Sequence, residues 1–242
     1  MIQESIENRA LASIRFLDAE TRAPTTEPIL VSGEGLRIIR NLSGLHVVMD
    51  APGFSSYAAH FDLPDTLSAP RTFTLVAHAP SHRYLARSFT LQLPRNTSPG
   101  PEATLPSDSV FRPLDVTLYP SPLMSPSARS AVVRVRVEDK NHKAVPGALV
   151  SLSLAVPPIE RWGLSNERGE ALLLVPGIPI ADWGDLTTPT HFSFNFQVAW
   201  AASALPPDPD TLSTAFHPVT APLDIAAGEE VSTTIQLDWV EL

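Results

Sequence analysis

Seven histidines and 26 carboxylates are the side chains with which this 242-residue chain could hold a metal or move a proton. His78 and His82 lie four apart, but Ala79-Pro80-Ser81 between them reads as a hairpin turn and not as a helix face. A zinc site there needs a third ligand, such as His60 or His46, brought in from a neighbouring strand; without one, the two read as loop histidines in solvent. Three spaced carboxylate pairs stand out: Asp62 and Asp65, Asp182 and Asp185, Asp208 and Asp210. Glycoside hydrolysis needs two carboxylates roughly 5–9 Å apart across a cleft, normally on different strands. These pairs sit in Pro-rich loops and read as turn residues and solubilising charge. There is no Asp-x-Asp-x-Asp-Gly calcium loop and no Gly-x-Ser-x-Gly nucleophile elbow. Val31-Ser32-Gly33-Glu34-Gly35 has the glycine spacing of part of a phosphate loop, but no Lys and no helix follow it. Zero cysteines remove thiolate nucleophiles, disulfides and Cys-based zinc sites together. The expectation is a chain with no catalytic residue, no metal and no cofactor.

The aromatic residues point to contact chemistry instead. Trp200 and Trp239 end strand-like runs and read as core or rim packing. Trp162 and Trp183 fall in loops, where Trp either stacks on sugar rings or anchors a protein partner. Tyr119, Leu123, Met124 and Phe216 are also apolar within or beside loops, and with the two loop tryptophans they are the expected partner contacts.

Alternating strands must carry these residues. Proline supplies 25 of the 242 residues, about double the usual share, which disfavours long helices and favours short strands with rigid turns. The runs 13–17, 71–76, 88–93, 133–137, 192–196 and 233–237 each place apolar side chains at period two, as in antiparallel sheets with one solvated face. A weak helical period covers only Ile2 to Ala12. The two halves repeat one another. A strand runs into Asp18, a polar turn and Pro24, and later Asn41-Leu42-Ser43-Gly44 leads to Pro52-Gly53; Asp139, Pro146, Asn166-Glu167-Arg168-Gly169 and Pro176-Gly177 follow the same order. Asp18 to Gly44 is 26 residues and Asp139 to Gly169 is 30, a shared spacing that implies duplicated architecture. Asn41, Gly44, Asn166 and Gly169 are the expected structural turn residues. Each unit is expected to close on a similar strand, Phe89–Leu93 in one and Thr234–Leu237 in the other.

The predicted fold is all-β, two tandem antiparallel β-sandwiches, transthyretin-like or immunoglobulin-like. Residues 1–12 form an N-terminal segment, 13–95 the first sandwich, 96–130 a Pro/Ser-rich linker, and 131–242 the second sandwich. Pro94 to Ser130 holds eight prolines and reads as a stiff, extended, solvated spacer. The alternating run at 114–119 is expected to be an edge strand, opening the second unit. Ala201 to Pro222 is a second long Pro-rich loop, of the length that is usually functional or disordered.

Arg136-Val137-Glu138-Asp139, Val145-Pro146-Gly147-Ala148-Leu149-Val150 and Ser165-Asn166-Glu167-Arg168-Gly169-Glu170-Ala171 together resemble the carboxypeptidase regulatory-like, or transthyretin-like, β-sandwich. Ser165 stands where that family more usually has threonine. The resemblance implies a non-catalytic folding, spacing or docking unit. Two such Pro-rich, cysteine-free units also resemble accessory subunits of phage-tail-like contractile injection particles. The expected role is a non-catalytic structural or adaptor subunit of a larger bacterial protein assembly, with other protein subunits as partners; the alternative is a carbohydrate- or cell-surface-binding module. A net charge of -9 argues against a nucleic-acid surface, and no apolar run is long enough for a membrane helix. Glu4 and Glu7 stand where a signal peptide would carry Lys or Arg, so a cytoplasmic location is expected, with release inside an assembled particle as the other route.

Overall fold

The computed structural model describes residues 9–58, 69–126, 130–178, 190–202, 205–212, 216–218, 222–238 and 240. The first half contributes β1 (Ala12–Asp18), β2 (Leu30–Gly33), β3 (Arg37–Arg40), β4 (His46–Asp50), β5 (Arg71–His78), β6 (Arg87–Leu93) and β7 (Leu114–Leu118). The second contributes β8 (Ser130–Asp139), β9 (Leu149–Leu154), β10 (Ile159–Leu164), β11 (Glu170–Pro176), β12 (Phe192–Ala199), β13 (His217–Pro218), β14 (Leu223–Ile225) and β15 (Glu230–Leu237). All six alternating runs are therefore strands, and the expected all-β fold is the one observed. The helical period at the start of the chain falls largely on residues 1–8, outside the described ones.

Each half is a sandwich. In the first, a β3-β4-β1-β7 sheet faces a β2-β5-β6 sheet. The inward phases of both, including Ile14, Phe16, Val48, Leu75, Phe89, Leu91 and Val116, form one buried cluster. In the second, a β11-β8-β15 sheet faces β10-β9-β12, with β13 and β14 on the far edge of β12. Val133, Val135, Leu173 and Ile235 from one sheet meet Val150, Leu152, Phe194 and Phe196 from the other. Burying each such side chain contributes about 1.5–3 kcal/mol, and period-two alternation is what directs all of them to the same side.

The internal repeat is physical, down to single hydrogen bonds. Asp18 Oδ1 accepts from the backbone N–H groups of Glu20 and Thr21, and Asp139 Oδ1 accepts from Asn141 and Lys143. Arg22 and His142 take matching left-handed conformations, with φ of 59° and 60°. Asn41 Oδ1 accepts from Leu45 N–H while Asn166 Oδ1 accepts from Arg168 and Glu170. Gly44 and Gly169 follow at φ of 83° and 75°, a region open to glycine because it has no Cβ. The four expected turn residues thus close equivalent turns.

Strand pairing corrects the expected closing strand and the expected linker. β7 pairs in parallel with β1, and β15 pairs in parallel with β8, so the counterpart of the last strand is 114–118 and not 89–93. The run at 114–119 therefore completes the first sandwich instead of opening the second. A bidentate Arg15–Asp115 pair at 2.7 and 2.8 Å bridges the first parallel pair, and Arg134–Glu230 at 2.6 Å bridges the second. Residues 94–113 fold back on themselves and do not extend. Arg95, only 8% exposed, donates to the carbonyls of Ser109 at 3.1 Å and Ser107 at 2.8 Å, while Asn96 N–H donates to Asp108 O. A buried guanidinium that collects backbone carbonyls overrides the extended preference of the prolines around it.

Candidate functional site

Between the two sandwiches lies a seam that the sequence did not announce. Leu164 and Ala199 flank Leu149 in register on the outer face of the β10-β9-β12 sheet. Against them pack Ala19, Leu85 and Tyr119 from the first unit and Leu212 and Phe216 from the Pro-rich loop, with Trp162 beside them. Trp162 and Phe216 meet edge-to-face with centroids 5.1 Å apart. Ser130 Oγ donates to Glu20 Oε1 at 2.8 Å across the same seam.

A polar clasp locks it. Arg87, at the head of β6, occupies the inward phase shared by Phe89, Leu91 and Leu93, and its side chain is wholly buried. Its Nε donates to Ser88 O at 3.1 Å and its Nη1 to Thr117 O at 2.8 Å. Nη2 pairs with Asp208 at 3.3 Å and with Asp210 more closely. Ser88 N–H donates to Pro207 O at 2.9 Å, so the loop adds backbone to the end of the strand. Burial, joined by the like charge of Asp210, raises the Asp208 carboxyl above its ordinary value against the pull of Arg87. Asp208 also accepts from Asp210 N–H at 3.1 Å, so its expected turn role holds. The expectation of solubilising charge does not, because Asp208 and Asp210 are the counter-ions of a buried cation.

The residues expected to contact partners are placed unevenly. Trp162 is in β10 and not in a loop, and with Tyr119 and Phe216 it faces the internal seam. Met124 packs on Val132, Leu172 and Leu174. Leu123 is 83% exposed. Trp183 lies outside the described residues, as do Asp62, Asp65, Asp182, Asp185, His60 and Trp239. Trp200 packs against the second core, its indole N–H donating to Pro146 O. The phosphate-loop-like glycines belong to β2 and the turn after it.

The histidines do not converge. His78 and His82 face each other across the β5–β6 hairpin with ring centroids 6.1 Å apart. His46 is buried elsewhere, against Phe16, and its Nε2 is 2.9 Å from Ile29 O. Burial lowers its pKa, so the ring is neutral and Nε2 donates to that carbonyl. Among the described residues no group of three or more His, Asp or Glu side chains is placed to hold a metal ion. No helix among them is long and apolar enough to cross a membrane.

Arg87 is the functional-grade residue that sequence reasoning missed. A signal was present, because an arginine on the apolar phase of a strand requires a buried partner. That partner lies 121 residues away.

These features define an all-β protein of two tandem sandwiches joined by a buried seam. No protein-family model matches the chain, and no curated protein matches it. Among solved structures it is similar to the major pilin subunit BcpA of Bacillus cereus at 11% identity, over 87% of this chain and 54% of that one, with a TM-score of 0.29. It is similar to the Bacillus anthracis TIE protein at 10% identity, over 86% of this chain and 34% of that one, with a TM-score of 0.27. A chlorocatechol 1,2-dioxygenase from Pseudomonas putida overlaps at 10% identity, over 47% of this chain and 63% of that one, with a TM-score of 0.26. The chain thus spans between 34% and 63% of the length of these structures. Overlaps of this quality carry no inference about function.

Proposed function

We propose that the chain is a non-catalytic structural or adaptor subunit of a larger bacterial protein assembly, docking through an open sheet edge on its first sandwich. The observation that carries this reading is the β2–β3 segment. β2 and β3 are consecutive in the chain and each is the outer strand of its sheet, so among the described residues no further strand pairs with the outer edge of either. Leu30 at 59%, Ile39 at 44% and Leu42 at 109% exposure lie on or beside these two strands. An outer strand flanked by exposed apolar side chains is a template for strand addition by a neighbour. The packed seam supports the same role, since a spacer subunit must hold its two halves in fixed relation. The turn pattern over 135–177 that resembles carboxypeptidase regulatory-like sandwiches is consistent with a docking unit, and a phage-tail-like contractile injection particle is the particular assembly we propose.

The test is gentle isolation of the native protein from its source cells, sized by sedimentation, with co-purifying chains identified by mass spectrometry. Recovery in a large particle containing sheath- or tube-like proteins is expected, and Leu42→Asp or Ile39→Asp should release the chain from it. Recovery of the unaltered chain as a free 26.2 kDa monomer overturns the reading.

A further inference from the structure

The seam opens to solvent through a cavity of about 180 Å³. Its wall holds Arg22 and Thr117 of the first unit, Tyr119, Glu160 and Trp162, and Asp210 of the Pro-rich loop. Four of these side chains carry polar groups with no protein partner among the described residues, those of Arg22 and Glu160 at the solvent-exposed rim. Tyr119 is only 6% exposed, yet among the described residues its hydroxyl has no hydrogen-bond partner and it is not sealed from solvent. A buried phenol normally finds a partner. The Trp162 indole N–H, the Arg22 guanidinium and the Glu160 carboxylate likewise make no hydrogen bond or ion pair among the described residues. Asp210 differs, because it is committed to Arg87.

The chemistry of this wall selects its ligand. Arg22 repels a cation, and Glu160 repels an anion. Asp210 is held by Arg87, and Arg22 and Glu160 carry opposite charges, so a ligand with a full charge of either sign meets a like charge on the wall and a neutral one does not. The uncommitted groups offer donors at Arg22, Trp162 and Tyr119 and acceptors at Glu160 and Tyr119. Planar guanidinium and carboxylate groups match adjacent hydroxyls in pairs, and the indole and phenol rings supply apolar surface for C–H groups. We propose that the seam cavity binds a single sugar residue of a neutral glycan, held by Tyr119, Trp162, Arg22 and Glu160. Both sandwiches contribute to the wall, so neither half alone would make the site. The site is independent of the β2–β3 edge, and docking into an assembly can fail without affecting it.

The experiment uses the full chain with glucose, galactose, rhamnose and N-acetylglucosamine as probes, and choline and glucose 6-phosphate as charged controls. Binding is followed by calorimetry and by the indole N–H resonance of Trp162, assigned with Trp162→Phe. At least one neutral sugar is expected to bind with a dissociation constant no weaker than about the millimolar range and to shift that resonance. Tyr119→Phe removes only an unpartnered hydroxyl, so it should leave the unfolding midpoint unchanged while weakening sugar binding about tenfold. Glu160→Gln should act in the same direction. The proposal is overturned if none of the four sugars binds, if choline or glucose 6-phosphate binds more tightly than all of them, or if Tyr119→Phe and Glu160→Gln bind sugar as the unaltered chain does.

Discussion

Removing both counter-ions of the clasp should destabilise the protein more than removing the cation they serve. Asp208→Asn with Asp210→Asn leaves the Arg87 guanidinium in place with no exposed side-chain surface. Stripping the partner from a buried charge costs about 3–5 kcal/mol. Two features reduce that here. The Asp210 side chain is 58% exposed, so water reaches its end of the clasp. Asparagine also still accepts a hydrogen bond. A loss of about 2–3 kcal/mol is the expected result. Arg87→Met deletes the cation itself and leaves the Ser88 and Thr117 carbonyls without their donors, a cost of about 1–2 kcal/mol. Adding Arg87→Met to the paired Asn changes should therefore restore stability, because the stranded charge disappears. Equilibrium urea unfolding of all four proteins, compared at their midpoints, gives the coupling directly. If the triple variant is less stable than the Asp208/Asp210 double variant by the full cost of Arg87→Met, the clasp does not act as a buried ion cluster and the reasoning fails.

Four further outcomes follow from the same structure. Burial raises Tyr84 and Tyr119 to about 12, so the folded chain keeps protons that the unfolded chain releases from pH 10 upward. Stability should fall as pH rises between those values, by on the order of 2–3 kcal/mol for each phenol, and an ultraviolet tyrosinate titration should show both ionising near 12. Burial lowers the His46 pKa, so the unfolded chain takes up a proton first as pH drops below about 6.5. Folding should weaken there, and His46→Met should flatten that acid slope in urea unfolding. A Cβ on Gly169 would stand 2.4 Å from Val137 O, whereas one on Gly44 meets only Arg40 at 3.9 Å. Both sites need positive φ, at about 1–2 kcal/mol for alanine, so Gly169→Ala should lower the urea midpoint well beyond Gly44→Ala. Finally, Leu123→Asp should leave thermal unfolding unchanged, since that side chain is 83% exposed.

What could be read along the chain was whatever depends on near neighbours. Period-two runs gave the strands, because facing alternation is a local property. Asp18 and Asp139, and Asn41 and Asn166, marked equivalent turns because their side chains bond backbone only two to four residues on. Partnerships across long separations were hidden. The 114–118 strand pairs with β1 about a hundred residues earlier, and nothing local distinguishes it from an opening strand of the next unit. The Asp208-Pro209-Asp210 run looks like any polar turn until Arg87 is placed beside it. Trp162 reads as a loop residue because Arg161, Gly163 and the flanking Pro157 and Pro158 break its alternation, although it lies in register against Ser151. Arg95 shows the same limit in the linker, where proline content predicted extension and a carbonyl-binding guanidinium folded it.

The parallel pairing of first and last strands also dictates the order in which a growing chain can fold. Arg15 and Asp115 are 100 residues apart, Arg134 and Glu230 are 96 apart, and Arg87 waits a further 121 for Asp208. Such high contact order is slow to satisfy. On the ribosome, the first sandwich stays unclosed until β7 has left the exit tunnel. Even then its Arg87 has no countercharge while most of the second half is being made. Once β7 has emerged, the chain would thus carry a closed first sandwich in which Arg87 holds only the Ser88 and Thr117 carbonyls, and the seam would assemble only in the final stretch of synthesis.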